Sequence, residues 1–231
     1  MSPLLSNIVL DELDKELEKR GLEFCRFADD CNVFARTRKA AERIMKSLSA
    51  FLENRLKLAI NKDKSKVAKS ERVKFLGLTI IMATIAISVA SMNRAMDKVR
   101  ELTPRGTSLT IEQTVKEINK WYTGWSSYYA MTQYPTQLAK IEAHIRRRLR
   151  ARIVDQKKSR RNLYNDLVDR GVPRKYAATA FSNKGRWALS HTKAVERAYS
   201  NKWFIDTLKQ KTRSNEKRAH WFDLKKWVKL K

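Results

Sequence analysis

Phe24-Cys25-Arg26-Phe27-Ala28-Asp29-Asp30-Cys31-Asn32-Val33-Phe34-Ala35 sets two short β-prone runs on either side of a pair of adjacent carboxylates. Such flanks predict a tight hairpin whose apolar residues lie in a sheet and whose turn stands exposed. The turn has two readings. Asp is a favoured turn residue, so the pair can be no more than a solvated polar loop. It can equally be a metal site, because Mg²⁺ takes oxygen ligands, retains water, and is usually held by one or two carboxylates together with substrate phosphates. Two-metal phosphoryl transfer needs that arrangement.

The charge balance asks for a polyanionic partner. The 231 residues carry 50 Lys+Arg against 24 Asp+Glu, a formal charge of +26. That excess is far beyond what solubility needs and is the electrostatic footprint of a nucleic-acid binder. Residues 1–100 hold 20 Lys+Arg and 13 Asp+Glu, whereas residues 101–231 hold 30 and 11, so the basic surface is concentrated C-terminally. A membrane surface attracts the same charge, but lipid binders usually present a basic amphipathic helix with an exposed apolar face. No signal peptide or uninterrupted apolar span is legible, which predicts a soluble chain acting in the cytoplasm. Cys25 and Cys31 are expected to be small buried hydrophobes, since no spacing suggests a disulfide framework or a zinc site.

Working outward, Ser2-Pro3 predicts the cap and first turn of a helix carrying Leu4, Leu5, Ile8, Val9, Leu13 and Leu17 inward, ended by Gly21. Asp11 and Asp14 fall on its solvent side. A second helix is expected from about Thr37 to Arg55. Leu56 to Ile60 then reads as a strand, and Val73 to Ile80 as another, with Gly77 marking a bulge or a close backbone approach. Ile85, Ile87 and Val89 give a returning strand. From Ser91 the strands stop. Ser91 is expected to cap a helix to about Leu102, and Thr110-Ile111-Glu112-Gln113 is a capping box opening a helix with Val115, Ile118, Trp121, Tyr122, Trp125, Tyr128 and Tyr129 on one face. Pro135 starts a further helix with Leu138, Ile141, Ile145, Leu149 and Ile153 inward and Arg146, Arg147, Arg150, Lys157 and Arg161 outward. That row is either a solvated face or a set of phosphate contacts, and the near absence of acids between Arg146 and Arg161 favours phosphate. Short helices follow, broken at Gly171-Val172-Pro173, at Asn183-Lys184-Gly185 and near Ser200. The tail from Lys209 interleaves Trp221, Phe222 and Trp227 with basic residues, suited to stacking on unpaired bases or to a small satellite core.

Several of these stretches resemble one family. Phe27-Ala28-Asp29-Asp30 resembles the aromatic-x-Asp-Asp box of reverse transcriptases, with Phe27 where tyrosine is more usual. Ser2-Pro3-Leu4-Leu5-Ser6-Asn7-Ile8 resembles the end of the block preceding that hairpin. Asn61-Lys62-Asp63-Lys64-Ser65 resembles the Asn-x-x-Lys-Ser/Thr block, and Phe75-Leu76-Gly77 the block that grips the primer strand. Trp121-Tyr122-Thr123-Gly124-Trp125-Ser126-Ser127-Tyr128-Tyr129 resembles the Gly-Trp-x-x-Tyr-Tyr signature of the group II intron maturase-specific region, also called domain X or thumb. Lys184-Gly185-Arg186-Trp187 resembles a Lys-Gly-x-Trp stretch of bacterial members.

The resemblance implies an α+β fold. An incomplete reverse-transcriptase palm over 1–91, an antiparallel sheet with helices, is followed by an all-α thumb and maturase region over 92–158 and a basic nucleic-acid-binding region over 159–231. It implies Asp29 and Asp30 as Mg²⁺ ligands and catalytic carboxylates, with a primer 3′-hydroxyl attacking the α-phosphate of an incoming nucleotide. Lys64 matches a lysine proposed to protonate the pyrophosphate leaving group. Contacts to nucleic acid are implied for Arg26, Phe27, Phe75, Leu76, Gly77, Arg146, Arg147, Arg150, Lys157, Arg161, Lys184 and Arg186. The implied partners are group II intron RNA and an RNA template with DNA primer, in a bacterial-type cytoplasm and associated with RNA or nucleoid. The family's fingers and third carboxylate precede the first matched block, so the chain is expected not to polymerise alone and to need the missing N-terminal half. A non-enzymatic intron-RNA chaperone and a relic of a disrupted gene are the alternatives. His144, His191 and His220 stand alone, and nothing resembles the family's appended endonuclease.

Overall fold

A computed structural model of the chain describes residues 3–81 and 84–213. The chain divides into two compact units, Met1–Met82 and Ala83–Lys231. In the first, helix α1 (Pro3–Lys19) leads into the hairpin β1 (Phe24–Phe27) and β2 (Asp30–Val33), followed by helix α2 (Arg38–Asn54) and strand β3 (Leu78–Ile81). Thr37 caps α2 by accepting from the Ala40 amide. At the end of α1, Gly21 adopts a left-handed φ of +63°. Its amide donates to the Glu18 carbonyl and the Leu22 amide to that of Leu17, which closes the helix as the sequence predicts.

Leu13, Leu17 and Leu48 are the buried centre of this unit, with Phe24, Cys31 and Val33 packed on them. Only the C-terminal half of the predicted apolar stripe on α1 is core. Leu4, Leu5 and Ile8 are exposed, because within this unit the hairpin and α2 pack against the later turns of the helix.

Two predicted strands are corrected. Leu56 to Ile60 is not a strand: the Leu56 and Leu58 amides donate back to the Phe51 and Leu52 carbonyls, so the segment folds against the end of α2. The Val73–Ile80 strand shortens to β3, because Phe75 and Leu78 exchange two backbone hydrogen bonds of 2.9 Å. Leu76 (φ +51°) and Gly77 (φ +77°) are therefore a two-residue loop. Positive φ at both positions is the type I′ pattern, so Gly77 serves a turn and not a bulge.

The second unit begins with β4 (Thr84–Ile87) and is otherwise helical: α3 (Val89–Leu102), α4 (Ile111–Tyr128), α5 (Pro135–Gln156), α6 (Arg160–Asp169), α7 (Arg174–Ala177), α8 (Arg186–Leu189), α9 (Lys193–Ala198) and α10 (Asn201–Asp206). The first unit carries the antiparallel hairpin β1–β2, and the chain is α+β with an all-α C-terminal region. Val89, expected in the last strand, opens α3 instead, and the cap is Ser88 in place of Ser91, its hydroxyl accepting from the Ser91 amide at 3.2 Å. Side-chain amides extend the edge of β4. Gln137 donates to the Ile87 carbonyl at 2.9 Å and accepts from the Ile87 amide at 2.8 Å.

The predicted capping box is present at α4, where Thr110 and Gln113 satisfy each other's backbone amides. Ile118, Tyr122, Ile141, Ile145 and Leu149 form the centre of the helical core. The later helices add Leu167, Leu189, Val195 and Phe204 to that same core, so α6–α10 pack continuously with α3–α5. Of the predicted aromatic face, Tyr122 and Tyr129 are buried, Trp121 and Trp125 are half-buried, and Tyr128 is exposed. The tail aromatics Trp221, Phe222 and Trp227, with His220, lie outside the described residues.

Candidate functional site

The carboxylate hairpin has the predicted geometry. Phe24 pairs with Val33, Cys25 with Asn32, Arg26 with Cys31 and Phe27 with Asp30, leaving Ala28-Asp29 as a two-residue loop. Ala28 takes φ +53° and Asp29 does not share the positive sign. That is the type II′ pattern, with a non-glycine residue in its strained first position. Paired residues share a face, so Phe27 and Asp30 stand on the outer face with Cys25 and Asn32, while Phe24, Arg26, Cys31 and Val33 turn toward the helices. Phe27 is 61% exposed, and Asp29 and Asp30 are both exposed. Cys25 is exposed too, against expectation, because it lies on that outer face. Burial, aided by the Asp14 charge, pushes the Cys31 thiol up to about 11.

Arg26 is held by groups of its own unit. Its guanidinium donates to both carboxylate oxygens of Asp14, at 2.5 to 3.0 Å, to Asn7 Oδ1 at 2.9 Å and to the Ala28 carbonyl at 2.9 Å. The side chain thus bolts the turn to α1. Asp14, expected on the solvent side, points toward the hairpin instead and pairs with Arg26.

The donor set at the turn fits Mg²⁺ in its common mode. Among the described residues neither Asp29 nor Asp30 has an ion pair, and no group of three His, Cys, Asp or Glu is gathered anywhere, so two carboxylates are what the turn offers. Lys64 sits exposed in a separate turn, its amide held by Asn61 Oδ1 at 3.1 Å. Phe75 is half-buried, and Leu76 and Gly77 are the tip of the type I′ loop, so Leu76 is 39% exposed.

The α5 arginines depart most from the sequence reading. Arg146 and Arg150, expected outward, are buried, at 8% and 9% exposure. The physical cause is that α5 is covered on more than one side, by α3 and α4 and also by α8 and the chain joining α9 to α10. Arg150 donates from Nε to the Tyr199 carbonyl at 2.8 Å and from Nη2 to Asn201 Oδ1 at 3.1 Å. Arg148 donates to the Thr103 carbonyl at 2.6 Å, and Arg152 to the Leu109 carbonyl and Thr114 hydroxyl. Burial pushes the pKa of each of these guanidiniums down. Sequence reasoning missed Arg148 and Arg152 as structural clamps. The signal was present, because Leu149, Ala151, Ile153 and Val154 put apolar residues all round the helix, as in a helix buried on every side.

Arg147 is half-buried and stacks over Trp187, its Cζ 4.5 Å from the ring centroid. Lys157 is paired to Asp166, and Arg186 to Asp155 at 3.2 Å. Arg161 and Lys184 are exposed. The predicted row therefore resolves into one exposed cation, Arg161, one paired one, Lys157, and a cluster of three gathered inward. Arg146, Arg147 and Arg150 line one cavity of about 590 Å³ together with His191, Glu196, Ser200, Asn201 and Lys202.

Two family models match the chain. Residues 1–80 match the reverse transcriptase (RNA-dependent DNA polymerase) family, and residues 92–168 match the group II intron maturase-specific domain. The first match contains the carboxylate hairpin and the second runs from α3 through most of α6. No curated protein matches the chain significantly. No helix among the described residues is long and apolar enough to cross a membrane.

Proposed function

Since this chain belongs to the group II intron reverse transcriptase/maturase family, we propose that it grips intron RNA through its helical unit and carries, on the β1–β2 turn, the Mg²⁺-holding element of the polymerase centre. Binding to nucleic acid follows from the two domains, and polymerases of this family generally use Mg²⁺. The observation that carries the reading is the overlap of the maturase-specific match with a helical unit lying in the strongly basic part of the chain, where residues 101–231 hold 30 Lys+Arg against 11 Asp+Glu.

Asp29 and Asp30 would hold the metal, which supplies charge neutralisation at a transferring phosphoryl group. The chain's own residues set its place. Arg26 fixes the turn by its bond to the Ala28 carbonyl, and Phe27 gives the outer face an exposed ring beside Asp30 on which a base or sugar can rest. Phe27 has no hydroxyl, so this contact is purely apolar. Primer and template are the proposed substrates at this turn, with Lys64, Phe75, Leu76 and Gly77 as further contacts, and intron RNA is the proposed ligand of Arg147, Arg161, Lys184 and the other basic groups of the second unit.

Salt dependence tests the RNA reading. Each neutralised phosphate releases counterions, so log K should fall linearly with log salt at a slope of about −0.7 to −0.9 per contact. The expected result is a steep slope for an intron RNA that Asp29→Asn with Asp30→Asn leaves unchanged. A flat slope, or binding lost in that double variant, refutes it.

A further inference from the structure

The cavity between α5 and the α9–α10 segment has an unusual charge account. Arg146, Arg147, Arg150 and Lys202 line it, and Glu196 is the single carboxylate among its lining residues. Burying charge without a partner is expensive, and buried cations are normally paired. Arg150 is satisfied by the Tyr199 carbonyl and Asn201 Oδ1, both of them neutral. Among the described residues Arg146 and Arg147 form no ion pair, although the Glu142 charge one turn earlier on α5 acts on Arg146, and Arg147 Nε is buried with no hydrogen-bond partner. Burial pushes Arg150 down; the Glu196 carboxylate works against that shift and the Arg146 charge adds to it, a repulsion that a bound anion would offset.

The remaining wall offers donors. Asn201 spends its carbonyl oxygen on Arg150, which leaves its amide nitrogen to donate, and Ser200 accepts the Trp203 amide with Oγ, which leaves its hydroxyl proton. At about 590 Å³ the cavity is much larger than a lone phosphate requires and has room for the sugars on either side.

We propose that this cavity is the seat of one phosphodiester of a bound polynucleotide, gripped by Arg146, Arg147 and Lys202 with Ser200 and Asn201 as neutral donors. The proposal names the contact point of the RNA-binding surface above and rests on that reading for its source of phosphate. Glu196 opposes the anion and sets the affinity low enough for release.

Two measurements on the full chain separate the seat from the wider function. In the first, inorganic phosphate is titrated calorimetrically at constant ionic strength. Saturable binding is expected, weakened about tenfold by Arg147→Gln or Lys202→Ala and tightened several-fold by Glu196→Gln. Lys202 and Glu196 are exposed, so neither variant threatens the fold, and the gain from Glu196→Gln cannot be mimicked by unfolding. Absence of saturable phosphate binding, or identical binding in all three variants, overturns the seat. In the second, the salt slope of RNA binding is expected to drop by about one phosphate contact in Arg147→Gln with Lys202→Ala. An unchanged slope alongside altered phosphate binding means a free-anion site and overturns the assignment to RNA. RNA failing to bind the unmutated chain while phosphate still saturates overturns the RNA function and leaves an anion seat in place.

Discussion

Asp166 gathers three donors from different parts of the helical unit. Lys157 at the end of α5, Tyr199 at the end of α9 and Arg170 just beyond α6 all reach its carboxylate. Burial works against its charge, but the hydrogen bonds from Lys157 and Tyr199 and the charges of Lys157 and Arg170 outweigh that, so its pKa lies below the ordinary aspartate value. A depressed carboxylate stabilises the fold above the unfolded pKa of about 4, and that contribution disappears as pH falls through the folded value. Asp166→Asn is expected to cost about 2–3 kcal/mol at neutral pH. Urea unfolding should show the difference shrinking below about pH 4. Arg26 makes the same point in the first unit. Asp14→Asn should destabilise by about 1–3 kcal/mol, and a double-mutant cycle with Arg26→Ala should return a coupling of similar size, because each removes the same bidentate pair.

At the scale of elements, the tight turns carry information that strand patterns did not. Leu76-Gly77 needs positive φ twice, and only its second residue is suited to that. Gly77→Ala should cost about 1 kcal/mol, whereas Leu76→Asn, which creates the favoured Asn-Gly pair, should gain about 0.5 kcal/mol. Amide exchange at Phe75 and Leu78 reads both, since every tryptophan of the chain lies at residue 121 or later. α5 is the element whose role changed. A basic run on a helix normally faces water, yet Arg148, Arg150 and Arg152 deliver their forks to main-chain carbonyls at the ends of neighbouring helices.

For the molecule as a whole, the reverse-transcriptase and maturase-specific matches fall on the two compact units, the first within Met1–Met82 and the second within Ala83–Lys231. Asp29 and Asp30 are the carboxylates that the exposed β1–β2 turn offers to a metal ion. Asp29→Asn is therefore expected to abolish any Mg²⁺-dependent primer extension on an RNA template, and synthesis unchanged in that variant would refute this role. RNA binding by the helical unit should persist under the same conditions.

The hairpin, the start of α2 near Thr37, the capping box at Thr110, the helix stop at Gly21 and the aromatic face of α4 were legible in the chain because each is fixed by neighbours a few residues apart. Local sterics and short-range hydrogen bonds decide such features, and family motifs such as Phe27-Ala28-Asp29-Asp30 lie within them. The direction of Arg26, the inward turn of Arg146 and Arg150, and the cavity they line with Ser200 and Asn201 depend on partners 12 to 51 residues away. No periodicity in one helix reports which of its faces a distant segment will cover, so tertiary packing alone turned an outward-reading basic row into clamps and a cationic pocket.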